Sequence, residues 1–154
     1  MINVRAEMEA RLSWLRKETA SNFSALAWIA EDGRSILWKY ADGNQNERYK
    51  QMLGRAGRGL SGTVMRYGRL MLLDATTPQI DEVRLQYPIM LAEDLHAAAA
   101  APVFVYGETR GVLLIGHRSS RRFTENEIQL LLETAKQLAS VNKETRYNEP
   151  RRSM

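Results

Sequence analysis

The chain has no cysteine among its 154 residues. That absence excludes disulfides, thiol nucleophiles, iron–sulfur clusters and any chromophore attached through sulfur. It also agrees with a reducing compartment, and a cytoplasmic location is expected. Long apolar runs are missing too, since no stretch approaches the roughly 18–20 residues that a membrane span needs. The first residues, "MINVRAEMEARLSWLRKE", are amphipathic and carry acids, so they read as a helix and not as a signal peptide. Histidine is scarce. His96 and His117 each stand beside a strand end, too far apart in sequence for a metal-binding spacing. A surface or hydrogen-bonded histidine is the commoner case there than a haem ligand, and no cofactor or metal is expected. No nucleophile–base pair stands at a recognisable spacing, and Asp74, Asp81 and Glu82 read as caps and helix charges. An enzyme is therefore not expected.

What is present is ordinary for a globular protein, with 44% hydrophobic and 26% charged residues. The length suits one domain with a core of its own. The net charge of +4 raises the question of nucleic acid. The basic residues are scattered, however, and the local clusters "HRSSRR" (117–122) and "EPRRSM" carry no interleaved aromatics to stack on bases. A solvated surface with a mild pull on small anions is the simpler reading.

Hydrophobic periodicity organises the chain. Val4, Met8, Leu12 and Leu15 mark an amphipathic helix over 2–19. "FSALAWIA" (23–30) and "SILWKYA" (35–41) read as strands joined at Asp32-Gly33, a hairpin signal. Tyr49, Met52, Leu53 and Ala56 predict a helix over 46–56 that stops at Gly57. "RLMLLD" (69–74) reads as a buried strand, and Pro78 as the opening of a helical stretch. "HAAAAAPVFVY" (96–106) is ambiguous, because alanine favours helix while Pro102 forbids one, and Val103–Tyr106 is taken as strand. "GVLLIGHR" (111–118) is another strand. The final helix, 125–142, carries a capping box of Thr124 and Glu127. Residues 1–142 thus form a single α+β domain, and 143–154 a polar tail expected to fray.

One stretch, "RGLSGTVMRYG" (58–68), is a glycine-rich turn running into a short helix. Such turns bring backbone N–H groups close to something negative. The lysine of a phosphate-binding P-loop is nevertheless missing, since Thr63 and Val64 follow Gly62.

Residues 100–139, "AAPVFVYGETRGVLLIGHRSSRRFTENEIQLLLETAKQLA", resemble the closing hairpin and helix of the GAF family. The points of likeness are a proline in the fourth strand, a Gly-Val after the turn and a phenylalanine–threonine cap before the last helix. "GLSGTVMRYG" resembles the family's earlier glycine turn. The resemblance implies an antiparallel sheet ordered 2-1-5-4-3, terminal helices on one face and a ligand pocket on the other. Without cysteine, bilin attachment and free-methionine-sulfoxide reduction are excluded. The family's cyclic-nucleotide signature is absent, because "VNKET" (141–145) lies in the last helix without its companions.

Within the family, the chain most resembles single-domain nitrate receptors. Trp38 in the second strand, the Leu60-Ser61 step and the tripeptide Tyr87-Pro88-Ile89 carry that likeness. In those receptors the equivalent segments wrap the anion, which implies the same six residues as ligand-binding here. Ser61 stands where those receptors have a smaller residue. Nitrate is flat, singly charged and weakly hydrated, so it needs a few in-plane donors and apolar walls. Ser61 as an N-cap leaves N–H groups free in the 62–67 turn, and Pro88 at a helix start does the same for Ile89 and Met90. Trp38 closes a face or donates its indole N–H, and Tyr87 offers its hydroxyl.

Each residue also has a plain structural reading. Trp38 fits a core position, Pro88 a helix breaker, and Gly59 and Gly62 a tight turn. The alanines of 97–101 suit either a pocket floor or close helix-to-sheet packing. The resemblance implies a nitrate receptor that signals to a sensor histidine kinase of a two-component system. The terminal helices, 2–19 and 125–142, are the natural surface for that partner or for a homodimer. A regulatory module for an organic small molecule is the alternative.

Overall fold

The computed structural model describes residues 3–55 and 57–148, in which one antiparallel sheet separates two hydrophobic layers. Helix α1 (Val4–Glu18) begins at Asn3, whose side chain accepts the Ala6 N–H at 3.1 Å. It buries Met8, Leu12 and Leu15 along one stripe. Strands β1 (Phe23–Ile29) and β2 (Ser35–Asp42) form the predicted hairpin, turning at Gly33 with φ of 73°. The Asp32 carboxylate closes that turn by accepting the Ser35 and Arg34 N–H groups and the Ser35 hydroxyl. Those bonds, the Ser35 ones foremost, hold its pKa down at about 2.

The remaining strands are β3 (Leu53–Arg55), β4 (Met71–Leu73), β5 (Ala97–Val105) and β6 (Glu108–His117). Their order is β3-β2-β1-β6-β5-β4. The expected order 2-1-5-4-3 is this array with one short strand added beyond β2. That strand replaces part of the helix predicted over 46–56. The chain makes a 3-10 turn at Arg48–Gln51, then pairs Leu53, Gly54 and Arg55 with Leu37, Ile36 and Ser35. An open sheet edge offers the backbone partners that a short helix must find within itself, and Leu53 stays 59% exposed. Ala56, the last residue of the expected apolar face, lies outside the described residues.

The alanine run is strand throughout. Ala97, Ala99 and Ala101 face the layer holding α1, while Ala98 and Ala100 face the opposite layer. Both faces of β5 are covered, so small side chains let both layers approach. Close packing is therefore the role of these alanines. Pro102 pairs with Val112 of β6, beyond the point where β4 begins opposite Ala100. Its missing N–H thus faces no strand of the sheet.

Helix α5 (Glu125–Asn148) packs beside α1, and its capping box forms as predicted. The Glu127 N–H reaches Thr124 Oγ1 at 3.1 Å, and the Thr124 N–H reaches Glu127 Oε1 at 2.8 Å. Its backbone continues six residues past the expected end at 142, and the rest of the expected tail, 149–154, lies outside the described residues.

Helices α2 (Gly59–Tyr67), α3 (Ile80–Val83) and α4 (Pro88–Ala92) connect the sheet strands, and residues of each pack in the second layer. The helical stretch expected from Pro78 starts later, after Gln79 at φ 56°, and is interrupted by a 3-10 turn at Arg84–Gln86. Pro88 causes the break. It forces the preceding Tyr87 into extended backbone (φ −117°, ψ 101°) and itself opens α4.

Candidate functional site

The glycine-rich turn is built by backbone constraints. Arg58 is extended and its N–H donates to the Arg55 carbonyl at 2.9 Å, while the Gly57 N–H donates to the Gly62 carbonyl at 2.7 Å. Gly62 is required by contact: a Cβ there would lie 2.0 Å from the Arg55 carbonyl oxygen. Because Arg58 folds back onto β3, α2 begins at Gly59, with Arg58 as its N-cap and no side-chain cap bond. The expectation that Ser61 caps a helix starting at 62 is corrected accordingly. Ser61 lies within the first turn, where the N–H groups of Gly59, Leu60 and Ser61 have no intrahelical acceptor.

Trp38, Leu60, Ser61, Pro88 and Ile89 all line a single cavity of about 380 Å³. These five sequence-predicted residues come from β2, α2 and α4. Tyr87, the sixth, is the half-buried N-cap of α4 and does not line the cavity. Trp38 is 5% exposed and occupies the wall under a register shift between β1 and β2. Leu26 pairs with Tyr40 but Ala27 pairs with Trp38, so Lys39 is an extra residue. As a result Trp38 packs with the cavity layer and Tyr40 with the α1 layer.

The α4 side differs from expectation. The Met90 N–H is spent on the Tyr87 carbonyl at 2.9 Å, and α4 spans only five residues. A single turn sums few peptide dipoles, so α4 contributes a wall instead of a second charged helix end.

Arg55 and Arg58 also line the cavity, together with Met52 and Gln86. By sequence both arginines read as part of the scattered basic surface. Their signal is local: in "GRAGRGLSG" they flank the very glycines that bend the chain. Among the described residues no carboxylate lines this cavity. Ser61 is 5% exposed and its side chain lines the cavity. Apolar walls, a helix N-terminus, two guanidinium groups and the Ser61 hydroxyl suit a small negative guest.

Two further buried titratable groups, Asp74 and His117, lie away from the cavity. Burial pushes the Asp74 carboxyl up, but bonds from Thr76 and the Phe123 N–H outweigh that and hold it below the ordinary value. His117 is 2% exposed, and burial, with Arg121 nearby, lowers its pKa to about 4. Neither residue lines the cavity.

The fold and this pocket define a class. The family model described as a GAF domain matches residues 4–141, and the chain belongs to that family. The chain is also similar to a particular protein with a nitrate binding site. It is 36% identical to the NreA protein of Staphylococcus aureus mutated in its nitrate binding site, over 78% of this chain and 89% of that one, with a TM-score of 0.69. Two further likenesses show the fold alone. The GAF domain of an Acinetobacter phosphoenolpyruvate-protein phosphotransferase is 16% identical over 97% of this chain and 88% of that one, with a TM-score of 0.80. A free methionine-R-sulfoxide reductase from Neisseria meningitidis is 17% identical over 96% and 82%, with a TM-score of 0.76. No curated protein matches the chain.

Proposed function

We propose that this chain is a receptor for a small anion, nitrate foremost, and that it passes occupancy to a sensor histidine kinase. One observation carries the reading. A cavity walled by Trp38, Leu60 and Ile89 receives the N-terminus of α2 and two arginines, with no carboxylate among the described lining residues. The resemblance to the S. aureus nitrate-binding protein supports nitrate over other anions. Trp38, Leu60, Ser61, Pro88 and Ile89 form the site, and Tyr87 caps the start of α4 beside it.

Two or three hydrogen bonds to a charged guest contribute roughly 1.5–3 kcal/mol each before ordering costs. That balance places affinity in the micromolar to millimolar range, which suits a nutrient ion. In this reading the chain works in the cytoplasm, catalyses nothing, and contacts its kinase or a second copy through α1 and α5. Trp14 of α1, 46% exposed in a groove shared with Arg11 and Gln137, supports that choice of surface.

Melting temperature and calorimetry with nitrate, nitrite, chloride and sulfate at matched ionic strength test the reading. Saturable stabilisation specific to nitrate is expected, and an equal or absent response to all four would refute it. A second reading has its own support. A cavity of about 380 Å³ lies within the range of sites for small organic molecules. An organic anion would then fill the space beyond the arginines, and a response to small carboxylates but not to nitrate would favour it.

A further inference from the structure

Arginine is an unfavourable residue at the start of a helix. Its side chain offers no acceptor to the free N–H groups, and its charge opposes the positive end of the dipole. Arg58 nevertheless occupies the N-cap of α2. Arg55 is locked beside it by the backbone bridge between the two residues, and both line the cavity. A third guanidinium is close: a Cβ on Gly57 would lie 2.8 Å from Arg66 Nη1. None of the three forms an ion pair or accepts a compensating carboxylate among the described residues. Arg55 and Arg58 thus gather at a helix end that already repels them, while Arg66 belongs to the last turn of α2. Ser61 lines the same cavity.

We propose that Arg58, with Arg55, is a specificity-determining pair that draws the anion to the cavity mouth and sets its charge preference. This rests on the receptor reading and adds residues to it. An anion at the mouth relieves that repulsion, so the arrangement trades stability for affinity. A rim charge of this kind acts on association rate and on salt dependence more than on shape fit.

The test compares the full chain with Arg58→Ser and Arg58→Lys by calorimetry with sodium nitrate at several ionic strengths, and by melting without nitrate. Serine is a good N-cap, so the Ser variant folds and is expected to melt about 2–4 °C higher than the native chain. Its nitrate affinity is expected to fall about threefold to tenfold at low salt, with a shallower salt dependence. The Lys variant is expected to keep most of the affinity. Equal affinity and equal salt dependence in the native chain and the Ser variant would overturn the inference while leaving the receptor reading intact. Absence of nitrate binding in the native chain would overturn both.

Discussion

The carboxylate of Glu93 is fully buried at the end of α4, and the Arg118 guanidinium meets it at 2.7 Å. The same carboxylate oxygen accepts the Gln45 N–H at 2.8 Å. Arg118 also donates to the carbonyls of Glu93 and Gly43, at 2.8 and 3.0 Å. One ion pair therefore fixes the end of the cavity-lining helix to the loop after β2 and to the end of β6.

Removing the cation strands a buried charge, because the second Glu93 oxygen already has no partner. Arg118→Ala is expected to destabilise the chain by about 3 kcal/mol in chemical denaturation. Glu93→Gln, which keeps a hydrogen-bonding group and no stranded charge, is expected to cost less. A larger loss for Glu93→Gln than for Arg118→Ala would refute this account.

Periodicity made the terminal helices, the first hairpin and the capping box of α5 legible, since each rests on local spacing. The alanine strand was only half legible. Alanine's helix preference is a weak intrinsic term, and burial of both faces of β5 between two layers overrides it. The 46–56 helix failed for the same kind of reason, because the edge of β2 offered Leu53–Arg55 a pairing that no local pattern announces. At the cavity, five residues named from sequence came together from three elements. The two arginines were missed because their closeness arises from a backbone bridge, which composition cannot show.

His117 sets an acid limit on stability. Its imidazole lies 3.8 Å from Glu127 Oε2 and packs on the Phe123 ring at 5.1 Å, while Arg121 holds that same carboxylate. Burial keeps the folded pKa at about 4, below the unfolded value of 6.5. Between those values the unfolded chain binds a proton that the folded chain declines. Stability is therefore full above pH 6.5 and falls as pH drops toward 4, by about 3 kcal/mol. His117→Asn is expected to remove that slope from urea-denaturation midpoints measured across the range. An unchanged slope would assign it to other groups.

Gly62 is the contact on which the cavity rim depends. Replacing it with alanine drives a methyl into the Arg55 carbonyl oxygen, a backbone atom that cannot swing aside. Gly62→Ala is expected to cost about 2–3 kcal/mol and to separate α2 from β3. Gly107→Ala is the control: that residue has φ of +80° but nothing within 4 Å, so only backbone strain of about 1 kcal/mol applies. Comparable losses in the two variants would show that the close approach of Gly62 is unimportant.

Trp38 and Tyr87 were named together from sequence, and the fold separates them. Trp38 is a wall of the cavity, while Tyr87 is the N-cap of α4 and does not line it. Trp38→Phe keeps an aromatic body in the second layer while removing the indole N–H and shortening the wall. It is expected to weaken nitrate binding about tenfold or more with a cooperative melt retained. Tyr87→Phe removes only a hydroxyl that does not line the cavity, so nitrate affinity is expected to stay within about twofold. Calorimetric titration of both variants decides the matter. If Tyr87→Phe loses binding as severely as Trp38→Phe, the phenol reaches the anion after all, and α4 must move inward when the site is filled.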